Sequence, residues 1–276
     1  MRIPLTPLDA TFVARAIPTG SARHLSYLFA PPLVRAPLLG VYALLAEWQA
    51  LLDPATERSV AQIKLAWWHE EMSRLAVGSA VHPVSRYLAS QPGAVGAHFM
   101  ILTEAVEAAL LESSGVPLEL GTQLEPHSTA LLAGPLRVAS LMGGGQSVGL
   151  DRCAQTLAVA QYLARALRQY RREAGCGRVP FAVDELLQAG VENADLLAPQ
   201  APPRLQAYLD SLRRKADDCY ASAAQDVPRA ARAGLRHLLV LAALGRRQLR
   251  GPDGNSAFAA LKDMLLAWTT ARRAGQ

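Results

Sequence analysis

Apolar residues recur at steps of three and four along most of the chain, and no stretch alternates apolar and polar residues as a half-buried strand does. The pattern predicts an all-α protein in which proline and glycine separate the helices. We expect one domain over residues 21–276, after an irregular leader over residues 1–20. Helices are predicted over residues 21–30, 33–52, 55–77, 82–90, 95–113, 117–133, 135–142, 150–175, 183–189, 204–225, 228–249 and 256–273, with a loop-rich connector at 193–203.

The helix predicted over residues 55–77 follows an Asp-Pro pair. Asp53 is predicted to cap the start of this helix, with Pro54 at its first position. The core side is expected to hold Leu65, Trp68, Met72 and Leu75. The solvent side is expected to hold Glu70, Glu71 and Arg74.

The helix over residues 150–175 carries an unusual stripe. Its members follow one another at steps of four and three, so they share one helical face: Ala154, Ala158, Gln161, Arg165, Arg168 and Arg172. A surface helix normally separates its core face from its charged face. Here the core face itself becomes basic, so we expect the arginines to point into a cleft or its mouth. Gly175 and Gly177 are predicted to end the helix.

The formal charge of +5 comes almost entirely from arginine, since the chain has only three lysines. Arginine suits fixed contacts to phosphate or carboxylate. No basic run is interleaved with aromatic residues, which disfavours nucleic acid as a partner. The three cysteines lack zinc-binding spacing, the N-terminus lacks a signal-peptide core, and the uncharged stretch at 87–103 is broken by Pro92 and Gly93. We expect a cytoplasmic protein, at most peripheral on the inner membrane.

Several familiar motifs are absent. Gly143, Gly144 and Gly145 do not follow a strand and lack phosphate-loop spacing. His69-Glu70-Glu71-Met72 lacks the second histidine of a zincin, and no GxSxG elbow surrounds Ser140 or Ser147.

Three segments together resemble the squalene/phytoene synthase family. Residues 41–53, VYALLAEWQALLD, resemble the first motif of that family, and residues 65–71, LAWWHEE, resemble the segment after it. The basic helix, with Gly177-Arg178-Val179 and Asp184-Glu185-Leu186, resembles the second motif and its loop. The resemblance covers about residues 21–191 and implies the isoprenoid synthase fold, with a central apolar cavity for prenyl chains.

The family joins two prenyl diphosphates, and its two aspartate-rich motifs bind magnesium ions that hold the diphosphate. This chain departs from both motifs. The positions of the first motif hold Gln49, Ala50 and Asp53, and those of the second hold Arg165, Gln169 and Glu173. Two acids on two helices are too few for a magnesium cluster, so no catalytic residue and no metal site is assigned. Asp53 is expected to be a cap, whereas Glu173 is expected either to pair with an arginine or to keep a role in the site.

Because these acids are missing, we expect a non-catalytic member of the family that keeps the cavity as a ligand site. The candidate ligand-binding residues are Arg165, Arg168, Arg172, Tyr42, Gln161 and Arg178. The expected ligand is an isoprenoid or another lipid, and no cofactor is expected. The alternative is an active head-to-head prenyltransferase, either with magnesium or with arginines that hold the diphosphate directly. A third possibility is a helical adaptor with a filled core and no cavity.

A branch of the family has lost these aspartates and includes an assembly factor for respiratory complex I. Residues 28–31, Glu47 and the segment 184–191 resemble that branch. It implies a lipid-binding or assembly protein whose partners are an anionic membrane surface and a respiratory-complex assembly partner. The predicted membrane contact is the basic set near the C-terminus: Arg229, Arg232, Arg236, Arg246, Arg247 and Arg250.

Overall fold

The structure is a computed structural model that describes residues 7–145, 149–251 and 257–276. Residues 1–6 of the predicted leader, Ser147 and the predicted helix start at Ser256 lie outside these ranges. The helices are α1 (Ala10–Ala16), α2 (Ala22–Leu28), α3 (Pro32–Leu51), α4 (Arg58–Ala76), α5 (Pro83–Ala89), α6 (Gly96–Ser113), α7 (Leu124–Ser128), α8 (Gly134–Met142), α9 (Leu150–Gly175), α10 (Val183–Gln188), α11 (Asn193–Leu197), α12 (Pro203–Gln225), α13 (Arg232–Leu249) and α14 (Ala257–Ala274). Short 3₁₀ turns lie at Gly121–Gln123 and Arg229–Ala231.

The all-α prediction and the single domain are confirmed, and no strand occurs in the described ranges. Most long helices begin and end within a few residues of the predicted bounds, because local signals set them. The Ser21 side chain accepts a hydrogen bond from the His24 amide at the start of α2. Pro32 occupies the first turn of α3, where its missing N–H costs nothing.

Helix α9 is the centre of the fold. It packs against α12, α13, α8, α7 and α11, so it has neighbours on most sides. Small residues such as Ala154 and Ala158 are fully buried in it and let the surrounding helices approach closely. Gly177, with a φ of +70°, turns the chain at the end of α9, and the Arg178 amide donates to the Glu173 carbonyl. The prediction that Gly175 and Gly177 end this helix is confirmed.

The connection between α3 and α4 differs from the prediction. Helix α4 begins at Arg58 rather than near residue 55, and Asp53 does not cap it. The Asp53 carboxylate instead accepts from the Ala55 amide at 2.8 Å, which forms a tight turn directly after α3. Its other contact is to α9.

The leader also differs from the prediction, because residues 10–16 form α1, which packs on α3.

Glu71 lies in the core and not on the solvent side of α4. Its side chain is fully buried, whereas Glu70 is exposed. One Glu71 oxygen accepts from the amides of Val81 and His82, and the other accepts from Arg74. The carboxylate therefore satisfies the backbone of the loop before α5, which explains why a charged group is buried there.

The predicted break at Gly134-Pro135 is absent. The chain stays helical through a π-helical turn at Thr129–Ala133 and continues as α8. Proline has no N–H to bond the carbonyl one turn earlier, and a π turn is one way to absorb that lost bond. This turn brings Leu131 and Leu132 into the wall of the cavity described next.

The connector before α12 differs from the prediction. The connector predicted to be loop-rich contains the short helix α11. Within the described ranges, none of the helices has the length and apolarity needed to cross a bilayer.

Candidate functional site

A cavity of about 280 Å³ lies between α3 and α9, with α2, α12, α13 and the π turn completing its wall. Its apolar lining comes from Leu45, Trp48, Leu131, Leu132 and Leu241, among others. Its polar lining comes from Arg23, Gln49, Asp53, Gln161, Arg165, Arg168, Gln169 and Gln248. The predicted cavity therefore exists, but its wall is amphipathic rather than uniformly apolar.

An ion pair joins the ends of α3 and α9 at the rim of the cavity. Arg172 contacts Asp53 at two points, Nη2 to Oδ1 at 2.6 Å and Nη1 to Oδ2 at 3.0 Å. Asp53 follows the last turn of α3 and Arg172 lies in the last turn of α9, so these two cavity-lining helices run toward the same rim. The lining becomes charged in this direction, from Leu45 on α3 to Asp53 just beyond its end.

Arg165 is held by a carboxylate from another helix. It pairs with Glu112 of α6, and the other Glu112 oxygen lies 3.2 Å from His127 Nε2. Burial by itself would raise the pKa of Glu112, but the charge of Arg165 and the contact to His127 lower it below its ordinary value. Burial likewise opposes the charge of Arg165, and Glu112 raises the Arg165 pKa nonetheless. The charge of Arg165 in the cavity wall is thus balanced by Glu112.

Arg23 of α2 faces the cavity from the opposite wall. Its guanidinium donates to the Gln49 side-chain oxygen at 2.7 Å and lies over the ring of Tyr42, 5.5 Å from the ring centre. Burial lowers the pKa of Arg23, as expected for a cation with little water and no carboxylate partner in the described ranges. Tyr42 itself does not line the cavity; its hydroxyl is 2.8 Å from Ser26 Oγ, and burial raises its pKa to about 12.

Arg168 lines the cavity from α9, and no carboxylate in the described ranges pairs with it. Tyr220 of α12 lies near it and closes the far wall against Gly245 of α13. A Cβ placed on Gly245 would come 2.6 Å from the tyrosine ring, so only glycine leaves room for this ring.

Glu173 and Arg178 lie beyond the rim, beside a small separate cavity of about 50 Å³. Both are nearly buried, and Arg178 Nη1 is 3.9 Å from Glu173 Oε2. Burial raises the pKa of Glu173, although the charges of Arg165 and Arg178 oppose this shift. Arg178 also donates to the Leu52 carbonyl at 3.2 Å and so ties the loop after α9 to the end of α3. The predicted pairing of Glu173 with an arginine is confirmed.

A family model described as squalene/phytoene synthase matches residues 18–251, which is most of the chain. The chain belongs to the squalene/phytoene synthase family. No curated protein matches the sequence.

Two solved structures of this family have the same fold as this chain. One is a dehydrosqualene synthase in complex with ligand, with a TM-score of 0.72 and 18% identity over 95% of this chain and 96% of that one. The other is the squalene synthase HpnC from Alicyclobacillus acidocaldarius, with a TM-score of 0.62 and 18% identity over 96% of this chain and 93% of that one. At this identity the likeness concerns the fold, which confirms the isoprenoid synthase prediction.

The residues at this squalene/phytoene synthase cavity do not fit a magnesium cluster. Asp53 is the one carboxylate among the lining residues, and Arg172 already engages both of its oxygens. The neighbouring polar groups are glutamine amides and arginines, whereas Mg²⁺ requires several oxygen ligands in octahedral geometry. Across the described ranges, no three histidine, cysteine, aspartate or glutamate side chains come together as a metal site.

The cavity brings together only part of the predicted site. Gln49, Asp53, Gln161, Arg165, Arg168 and Gln169 line it, whereas Tyr42, Ala50, Arg172, Glu173 and Arg178 do not. Arg23, Tyr220 and Gln248 line it without having been predicted. Arg23 lies in the first turn of α2 and belongs to no motif, so no local pattern could have identified it.

Proposed function

We propose that this protein binds an amphiphilic isoprenoid or lipid with an anionic head group in the α3–α9 cavity, and that it does not carry out magnesium-dependent prenyl transfer. One observation carries the proposal. Arg23 and Arg168 line the cavity without a carboxylate partner in the described ranges, whereas Arg165 and Arg172 each have one. Two guanidinium groups therefore remain for a ligand.

The lining supports this ligand chemistry. Leucines and Trp48 offer apolar contacts to a prenyl or acyl chain. Arg23 and Arg168 supply donors in the fork geometry that suits phosphate and carboxylate. Arg23 is partly buried and has no carboxylate partner in the described ranges, which is costly for a cation, and an anionic head group would relieve that cost. Gln49 already orients Arg23, so less side-chain entropy is lost when a ligand binds.

The proposal that the protein lacks magnesium-dependent prenyl transfer rests on the rim of the same cavity. A magnesium ion would have to displace Arg172 from Asp53 and lie near Arg165 and Arg168. At two positions where the family motifs are expected to have metal-binding acids, this chain has Gln49 and Gln169. A glutamine side chain is neutral, so it cannot balance the charge of a divalent ion.

Isothermal titration calorimetry with farnesyl diphosphate, and with farnesol as the neutral control, tests the ligand site. We expect binding of the diphosphate without magnesium and much weaker binding of the alcohol. Arg168→Ala should weaken diphosphate binding by about 1.5–3 kcal/mol, the range for a charged hydrogen bond. Arg214→Ala, an exposed arginine of α12, is the matched control and should leave diphosphate binding unchanged. Equal affinity in both variants contradicts the site.

The same protein incubated with farnesyl or geranylgeranyl diphosphate and magnesium tests the loss of transfer. We expect no C30 or C40 product by mass spectrometry. Robust, magnesium-dependent turnover would refute this half of the proposal while leaving the binding site intact.

The two unpaired guanidiniums also favour a second candidate, a prenyltransferase in which arginines hold the diphosphate directly. In that case Arg23 and Arg168 would stabilise the leaving diphosphate. Product formation that persists in a metal chelator and is lost in Arg168→Ala would select this candidate.

The proposal includes peripheral attachment to the inner membrane, because a water-insoluble ligand has to be met at a bilayer. It also includes the assembly role implied by the resemblance, in which the partner is a respiratory complex rather than a substrate. Loss of assembled complex I on gene deletion, restored by the wild-type gene, would support that role. Unchanged complex I would refute it.

A further inference from the structure

The C-terminal helix α14 buries one part of its apolar surface and exposes another. One face holds small residues such as Ala267 and Ala274, which are buried, with Ala267 packed against Leu25, Val240 and Leu244. Leu266 and Ala271 are partly buried against the same cluster. Four other large residues form an exposed stripe that adjoins this inner face. These lie at steps of three, one and three and are exposed to 63%, 41%, 57% and 46% respectively: Leu261, Met264, Leu265 and Trp268.

The large apolar residues of a surface helix usually face the core, whereas these four are exposed. Single exposed apolar residues are common, but a contiguous stripe that includes a tryptophan marks a binding surface. We propose that the outer face of α14 docks on an anionic phospholipid bilayer. The inference rests on the proposed peripheral attachment and identifies the surface responsible for it.

The charges around the stripe favour a bilayer. Helix α14 has three basic residues and one acidic residue, a net charge of +2, and the acid, Asp263, pairs with Arg247 of α13. Arg272 and Arg273 are exposed in the last turn, and Arg272 lies over the Trp268 ring, 5.4 Å from its centre. Tryptophan and leucine on one side with arginine at the border are typical of helices that lie in the membrane interface.

A second copy of the chain fits this face less well. The four side chains expose on the order of 400 Å² together, given that a large aromatic side chain offers about 150–250 Å². A stable dimer buries about 800 Å² on each partner and avoids charges in its centre. A bilayer requires no such area, since electrostatic attraction adds to shallow insertion of apolar side chains.

The basic set predicted as the membrane contact does not form an open patch. Arg246 and Arg250 both bind Asp217, Arg236 donates to the carbonyls of Phe29 and Ala30, and Arg232 donates to the Val227 carbonyl. Most of these guanidiniums thus have internal partners. Arg246, Arg247 and Arg250 line a groove between α12, α13 and Leu266 of α14, and this groove shares Tyr220 with the cavity.

Flotation of the full chain with phosphatidylcholine vesicles, with and without phosphatidylglycerol, tests the inference. We expect the wild type to float with the anionic vesicles at low salt and to detach at high salt. Leu265→Asn with Trp268→Asn should weaken binding about tenfold or more, because two large apolar groups no longer insert. Ile63→Asn with Leu187→Asn, at comparably or more exposed positions on other helices, is the matched control and should retain binding.

The outcomes separate the two proposals. If wild type floats and the α14 variant floats equally well, attachment occurs through another face and this inference fails. If wild type floats with neither vesicle, both the attachment and the α14 face are refuted, while calorimetry still tests the cavity. Light scattering that shows a dimer dissociated by the α14 variant would assign the face to a second copy. Circular dichroism and unchanged farnesyl diphosphate binding would show that the variant is folded.

Discussion

Asp53 and Arg172 form a two-point ion pair, at 2.6 and 3.0 Å, between residues 119 positions apart in sequence. In this family the last acid of the first motif is expected to face magnesium. Here the same position faces a guanidinium instead. The pair keeps the ends of α3 and α9 together and removes the remaining acid of the rim from metal binding.

Asp53→Asn should strengthen diphosphate binding roughly fivefold, about 1 kcal/mol, because one negative charge at the rim is lost and Arg172 is released. Both partners are partly exposed, so the free energy of unfolding should change by less than about 1 kcal/mol. Calorimetry with inorganic pyrophosphate measures the first effect. Asp210→Asn, which breaks a pair of similar exposure with Arg213, is the control. Weaker binding in Asp53→Asn would contradict the electrostatic role assigned to the rim.

Arg165→Ala should destabilise the protein by about 3 kcal/mol, because it leaves the Glu112 carboxylate buried with only His127 beside it. Arg165→Ala combined with Glu112→Gln should recover much of the loss. Urea denaturation of the two single variants and the double variant gives the coupling energy. Additive losses would show that the pair does not determine the stability of this region.

Gly245→Ala should destabilise the protein by about 1–3 kcal/mol, because the new methyl group would lie 2.6 Å from the Tyr220 ring. Gly234→Ala is the matched control in the same helix, since nothing lies within 4 Å of the Cβ that it adds. That substitution should be neutral or stabilise by about 0.5–1 kcal/mol through its better helix propensity. Thermal unfolding compares the two variants, and similar shifts in both would contradict the proposed contact with Tyr220.

His237 should make the protein less stable in weak acid. It is fully buried, with Nε2 3.2 Å from Ser140 Oγ, and burial lowers its pKa from 6.5 to about 3, with a smaller contribution from Arg236. Below about pH 6.5 the unfolded chain binds a proton at this residue that the folded protein does not bind, so the free energy of unfolding falls as pH falls. The loss should reach roughly 2 kcal/mol between about pH 8 and about pH 5.

Denaturation of wild type and His237→Gln over this pH range measures the effect. His82 has a lowered pKa for the same reason, so the difference between the two proteins isolates the contribution of His237. We expect a flatter pH profile for His237→Gln than for wild type. Parallel profiles for His237→Gln and wild type would contradict the prediction.

The sequence by itself determined the positions of the long helices and the family. Steps of three and four in the apolar residues placed α3, α9 and α12 within about two residues, because helix periodicity depends only on neighbours along the chain. The same periodicity placed Gln161, Arg165 and Arg168 on one face, and the cavity confirms that this face is its wall. The missing acids at Gln49 and Gln169 were equally visible in the sequence.

Only the tertiary structure decided which of these charges remain for a ligand. Arg165 is paired by Glu112, 53 residues away, and Arg172 by Asp53, whereas Arg23 enters the site from a helix with no motif. It also decided that α14 buries Ala267 and Ala274 and exposes Leu261, Met264, Leu265 and Trp268. Periodicity shows which residues share a face, but which face meets which helix depends on the burial of the whole chain. Ion pairs between distant helices and an outward apolar stripe therefore become visible only once the helices have packed.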